Sequence, residues 1–474
     1  MADDPIEHVV VLMLENQSFD RVVGLTPGVN GVNLDALRSN PDQGAQKSIS
    51  QNLSTKTHMD FDPPHDYDDV RAQIEGTGTP CAGFVNTFLR HYANGNPAEI
   101  MAYYDSNTLP VLNTLAKEFA ICDNWFSSVP GPTWPNRFFV NSGTSLGHID
   151  MPDIAHFDPA IHCYDQPTVF ERLSEAKKSW RIYFGDFSQT LLMIRQEQFA
   201  ANYRLMTSFE NDCRDATSFP QYVFIEPNFF GSEQNDQHPT SDIRRGDALI
   251  ASVYNAIRQN DALWNSTLLV ILYDEHGGFY DHVDPREPQF KAKAVPPDEH
   301  RTPEGFAFDL FGLRVPAILI SAFLDSQVLK GVYDHTSLLK YLTDKWRLGP
   351  LGNRVHAANN FLEELTWRTT PRSDVPSAFP IADIPKEPNP KGLSEHQKAM
   401  VAFSHHLESK MAHPVLLNSD KESLLARIGE RFLHATEDVS AYGPVASERL
   451  QLYLNTKGAD LPAGHVASSA VVKS

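Results

Sequence analysis

The chain has 474 residues, of which 41% are hydrophobic and 21% charged. That balance excludes wholesale disorder and suits one large domain with a modest appendage. Its 40 Lys and Arg against 60 Asp and Glu give a net charge of −20. This excludes an electrostatic grip on nucleic acid and disfavours anionic membrane surfaces, but suits carboxylates gathered around a cation.

In chain order, short apolar and β-branched runs predict strands at residues 7–14, 119–122, 180–184, 222–225, 268–273 and 315–320. Residues 39–56 and 285–304 read as long surface loops. Helical spacing predicts a helix over 243–258 and another over 337–348, behind Thr336 as its cap. Strands alternating with helices give an α/β fold, a large and mostly parallel sheet sandwiched by helices. After about residue 371 the chain becomes proline-rich, then helical over 394–411 and 421–436. We therefore divide it into a catalytic domain, 1–370, and a small helical C-terminal appendage, 371–474.

No stretch reaches the ~18–20 apolar residues of a membrane span. The first residues lack the basic and apolar regions of a signal peptide. The chain as given is thus expected to stay inside the cell, to have lost a leader, or to leave by a leaderless route. Cys81, Cys122, Cys163 and Cys213 are widely spaced. They predict buried thiols, with one disulfide left open, and neither a disulfide framework nor a thiolate metal site.

Carboxylates follow four of the strands: Glu15, Asp123, Glu226 and Asp274. In open α/β sheets ligands bind beyond the carboxyl ends of the strands, so these groups are expected on one rim. Glu15 and Asn16 offer hard oxygen donors to a divalent cation, against the plainer reading of a turn. In Val129-Pro130-Gly131-Pro132-Thr133-Trp134-Pro135-Asn136-Arg137 the prolines stiffen the backbone. Pro135 suits the first turn of a helix running through residue 141. Thr133 would then sit at a helix N-terminus that favours an anion, with Asn136 and Arg137 beside a bound phosphate. Asp274-Glu275-His276-Gly277-Gly278 puts two carboxylates and an imidazole after a buried strand. That is costly unless they are paired or bind a metal. His65 and His238 lie in loop-like stretches and could bind metal, donate a proton or hold a phosphate oxygen.

Gly143-Thr144-Ser145-Leu146-Gly147 matches the nucleophile elbow of serine esterases. The residues after Ser145 start a helix poorly, so this metal-independent alternative is the weaker one. A non-catalytic phosphate- or metal-binding protein is the other. Phosphate loops of nucleotide-dependent enzymes are absent.

The runs His8–Asp20, Asp123–Thr133 with Pro135-Asn136-Arg137, Asp236–Pro239 and Tyr273–Val283 resemble, in order and spacing, the bacterial phospholipase C/acid phosphatase phosphoesterase family, over residues 6 to 350. The resemblance implies an alkaline-phosphatase- and sulfatase-like fold. It implies one divalent metal ion, of identity left open among zinc, calcium, magnesium and manganese, held by Glu15, Asn16, Asp274 and Glu275. Thr133 matches the hydroxyl nucleophile, which also touches the metal. His65, His238 and His276 match phosphate-binding or acid/base histidines. The implied chemistry is metal-assisted attack by Thr133, a phospho-threonine intermediate and hydrolysis by water. Phospholipase C-type cleavage of a phospholipid is favoured slightly over acid phosphatase action on monoesters. Trp125, Phe126 and Trp134 would either line the leaving-group pocket or pack the core beneath it.

Overall fold

A computed structural model describes residues 4–76, 78–152, 164–290, 305–385, 392–412 and 442–462. Eight strands form the central sheet: β1 (His8–Leu14), β2 (Ala120–Phe126), β3 (Trp180–Phe184), β4 (Tyr203–Leu205), β5 (Tyr222–Glu226), β6 (Thr267–Tyr273), β7 (Ala317–Ile320) and β8 (Gln327–Asp334). Their spatial order is β8-β2-β7-β6-β1-β5-β3-β4. Within this sheet only β7 runs against its neighbours, and the other described pairings of the sheet are parallel. Each residue of β1 and β6 is buried, as a strand covered on both faces requires.

The helices used below are α1 (Tyr67–Glu75), α2 (Pro110–Glu118), α3 (Thr133–Ser142), α4 (Ile243–Arg258), α5 (His335–Trp346), α6 (Glu395–Ala412) and α7 (Tyr442–Thr456). Met400, Phe403 and Leu407 of α6 and Leu450 and Leu454 of α7 join the same apolar core as Val9 of β1. No described helix is long and apolar enough to cross a membrane.

Several expectations are corrected. Residues 39–56 carry a small antiparallel hairpin, Ser39–Asp42 with Lys47–Ser50. β2 does not stop before Asp123 but runs on to Phe126. Asp123 is held inside it by Lys330 Nζ at 2.6 Å and the Asn30 amide at 2.8 Å. β8 escaped prediction because Lys330 and Gly331 break its apolar pattern, and the ladder shifts register between Leu329 and Val332. α5 begins at His335 and is capped by Asp334, not Thr336. Cys81, Cys122 and Cys213 are buried free thiols. Cys163, the segment 421–436 and most of 285–304 lie outside the described residues.

Candidate active site

β1 and β6 are neighbours in register, Leu14 beside Tyr273. Their parallel course brings Glu15-Asn16 and Asp274-Glu275 to one rim. The Asn16 amide donates to Asp274 Oδ1 at 3.0 Å. Asn16 adopts φ 56, a left-handed conformation that Asn tolerates. Opposite it, Gly277 has φ +67, and a Cβ there would stand 2.2 Å from the Asn16 carbonyl oxygen, so this turn admits only glycine.

β2 ends on the same rim. The loop after it is pinned by Asn136, whose Oδ1 accepts from Val129 N at 3.0 Å and whose Nδ2 donates to Gly131 O at 2.9 Å. Asn136 is therefore engaged by the loop and not by a phosphate. The loop delivers Thr133 as the first residue of α3, buried, with Oγ1 3.5 Å from Asn16 Oδ1. One turn on, Arg137 is buried between two carboxylates. Its Nε lies 3.0 Å from Asp274 Oδ2 and its Nη2 3.1 Å from Glu15 Oε1.

The histidines approach from loops. His65 Nδ1 donates to Pro63 O at 2.6 Å, and its Nε2 stands 3.4 Å from Asn16 Nδ2 and 3.9 Å from Glu275 Oε1. Burial opposes its charged form, but Glu275, Asp62 and Asp66 outweigh that and raise it to about 9. His238 Nε2 lies 3.3 Å from Asp62 Oδ2. Against burial, Asp62, Asp236 and Glu15 raise it to about 10. The surrounding carboxylates favour the charged form of both imidazoles. His276 is buried behind Glu275, its Nδ1 3.3 Å from Glu275 Oε2 and its Nε2 2.7 Å from Gln73 Oε1 of α1.

Glu15 and Asp274 thus share one guanidinium, with Glu275 adjoining Asp274. Burial pushes Asp274 up to about 8; Arg137 opposes this, and Glu15 and Glu275 reinforce it. Burial also acts on Glu15, but His396 and Arg137 win and hold it at about 2. Among the described residues Glu275 Oε1 is buried without a hydrogen-bond partner. The oxygen donors of Asn16, Thr133, Asp274, Glu275 and Glu15, with one carboxylate oxygen lacking a hydrogen-bond partner among the described residues, are of the type a hard divalent cation takes. Among the described residues the group of three acidic or histidine side chains whose ligand atoms all lie within 4.8 Å of one another is Asp20, Asp281 and His282, and not Glu15, Asp274 and Glu275. There Arg314 already pairs with Asp281 at 2.9 Å and Asp20 at 3.0 Å.

Ser145 is excluded as an elbow nucleophile. Residues 133–142 are helix, so no strand precedes it, and its Oγ donates to His148 O at 2.6 Å. Trp125, Phe126 and Trp134 are buried in the core. Trp125 Nε1 faces His335 Nδ1 at 3.4 Å, and Phe126 stacks on Phe311 with centroids 5.4 Å apart. Glu226 makes no ion pair with Arg137 but acts on it electrostatically, and accepts from the backbone amide of Gln189 at 2.8 Å.

Sequence reading missed four participants. Asp62 supports His238, Gln73 supports His276, and Gln189 Nε2 donates to Glu15 Oε1 at 3.1 Å. His396, on α6, reaches Glu15 Oε2 at 3.2 Å. Only Asp62 carried a signal, its closeness to His65 in sequence. A cavity of about 580 Å³ opens beside Asp62, lined also by Phe61, Tyr92, Leu393 and Ser394.

A family model described as "Phosphoesterase family" matches residues 6–349. Non-specific phospholipase C6 of Arabidopsis thaliana is 35% identical over 431 residues, 84% of this chain and 80% of that protein. Non-specific phospholipase C3 of Arabidopsis thaliana is 31% identical over 79% of this chain and 76% of its own length. Phospholipase C B of Mycobacterium tuberculosis is 27% identical over 81% and 80%. Relatives thus include plant as well as bacterial proteins. A solved structure from the alkaline phosphatase superfamily of Vibrio parahaemolyticus overlaps 52% of this chain and 64% of its own, with 10% identity and a TM-score of 0.32.

Proposed function

This chain belongs to the phosphoesterase family and is a phosphoric ester hydrolase; from that premise we propose that it cleaves phospholipid diesters in the phospholipase C manner, through Thr133. The observation that carries the reading is the meeting of Thr133 with Asn16 beside the Glu15, Asp274 and Glu275 carboxylates and two histidines whose charged form is favoured. The phospholipase C names of the plant and mycobacterial relatives support a diester over a monoester.

One divalent cation, held by Glu15, Asn16, Asp274 and Glu275 together with Thr133, would supply Lewis-acid stabilisation of charge at phosphorus. The chain's own groups do the rest. The N-terminus of α3 places the Thr133 hydroxyl at the helix end whose dipole favours an anion. Thr133 Oγ1, reacting as the alkoxide after its proton has passed to water, attacks phosphorus in line and displaces the diacylglycerol oxygen, giving a phosphodiester-threonine; the later hydrolysis returns the same alkoxide. His65 and His238, kept charged by Glu275 and Asp62, hold phosphoryl oxygens, and one of them protonates the leaving alcohol. Water then attacks the same phosphorus, the neutral imidazole takes its proton, and Thr133 is restored. Arg137 neutralises Glu15 and Asp274, and His276 orients Glu275.

The test is hydrolysis of p-nitrophenyl phosphorylcholine before and after chelation. We expect activity that falls on chelation and returns with added divalent metal. Full activity in chelator would contradict the metal assignment, and binding of phosphate without turnover would leave a non-catalytic protein.

A further inference from the structure

We infer that the C-terminal part of the chain supplies a positioning residue, His396, which holds the Glu15 carboxylate, so that the site is built from both ends of the chain. The inference deepens the reading above and rests on it.

His396 opens the first turn of α6, 381 positions from Glu15. Its Nδ1 lies 3.2 Å from Glu15 Oε2, while Glu15 Oε1 takes Arg137 Nη2 at 3.1 Å and Gln189 Nε2 at 3.1 Å. A carboxylate so engaged only accepts, so the Nδ1 proton points at Glu15. The other nitrogen, Nε2, is buried without a hydrogen-bond partner among the described residues. Packing alone would be served better by an apolar side chain, because a buried ring nitrogen left unpaired is unfavourable.

The ring cannot drift. Phe229 meets it edge-on, with centroids 5.7 Å apart and planes at 77°. The next residue, Gln397, donates from Nε2 to Phe229 O at 2.6 Å and to Gln234 Oε1 at 3.2 Å, tying the helix start to the loop that leads to His238. Just before it, Leu393 and Ser394 line the 580 Å³ cavity beside Asp62. Further along, Met400, Phe403 and Leu407 anchor α6 in the central core. Together these contacts hold the ring and the start of α6 beside Glu15. Partners of this kind fix the orientation of a ligating carboxylate, and their loss lowers metal affinity by about 10–100-fold.

The test is calorimetric titration of the full, metal-stripped chain with Mn²⁺. Alongside it, circular dichroism checks the fold. His396→Ala is expected to weaken binding about 10–100-fold. His396→Asn places an amide N–H where the ring Nδ1 stood and should keep most of the affinity. His396→Gln reaches the Nε2 position instead and should behave like alanine. Should the alanine variant fail to fold, the Asn and Gln pair decides by itself. Wild-type affinity in His396→Ala, or equal losses in folded Asn and Gln variants, would overturn the role of His396 alone. A wild-type chain that binds no Mn²⁺ or other divalent cation would overturn the metal reading and this inference with it.

Discussion

Thr133 Oγ1 lies 3.5 Å from Asn16 Oδ1, although 117 positions separate the two residues. β1 and β2 end on the same rim of the sheet, and this brings them together. The hydroxyl is the group that Thr133→Ala removes. We expect kcat/KM on p-nitrophenyl phosphorylcholine to fall by at least about a thousandfold. Thr133→Ser keeps a measurable rate. Urea unfolding of Thr133→Ala should shift by no more than about 1 kcal/mol, because one loop-end hydroxyl is lost and no cavity of note is made. Near-wild-type turnover in Thr133→Ala would remove this residue from the chemistry.

Arg137 sits between Glu15 and Asp274 with about 3% of its surface exposed. Replacing it by Leu leaves two buried carboxylates without their counter-ion. In the metal-free chain the expected loss is about 3–5 kcal/mol by urea denaturation. A bound divalent cation should restore part of that stability, more than it adds to the wild type. Equal metal effects on the two proteins would show that the guanidinium and the cation do not share these carboxylates.

Away from the site, Asp247 of α4 accepts from Val111 N at 3.0 Å and Leu112 N at 2.8 Å, closing the N-terminus of α2. Burial pushes this carboxyl from 3.8 up to about 6, with the two amides pulling the other way. The folded chain therefore holds the proton more tightly than the unfolded one. Its contribution to stability is full below pH 3.8 and is lost as pH rises through about 6. The gap in Tm between wild type and Asp247→Asn should narrow over that window. A constant gap would contradict the assignment.

Reading from residues reached the sheet because β1, β5 and β6 are short unbroken apolar runs, which buried parallel strands require. It reached Glu15, Asn16, Asp274 and Glu275 because they stand directly after such runs. It misplaced Asp123 because a buried strand can carry a charge when Lys330 lies beside it. It could not see that Asn136 is engaged by its own loop, or that Arg137 faces two carboxylates, since both depend on how α3 packs against the rim. His396 was invisible for a stronger reason. A helix in a tail carries no periodic sign of which residue will meet a strand end on the far side of the sequence.

The leaving group sets a further expectation. Trp125, Phe126 and Trp134 lie in the core and line no leaving-group pocket, whereas Phe61 and Tyr92, with ring centroids 4.6 Å apart, line the cavity beside Asp62. We expect kcat/KM on p-nitrophenyl phosphorylcholine to exceed that on p-nitrophenyl phosphate, and phosphocholine to be released from lecithin micelles. A ratio well below one, without phosphocholine release, would move the assignment to acid phosphatase.

The covalent route through Thr133 is tested most directly by the stereochemical course at phosphorus. A p-nitrophenyl phosphorothioylcholine of single configuration is hydrolysed in heavy-oxygen water, and the chirality of the thiophosphate product is read by phosphorus NMR. Each in-line displacement inverts the centre. Attack by Thr133 followed by attack of water therefore predicts net retention. Net inversion would mean that water attacks the substrate directly, with no threonine ester on the path.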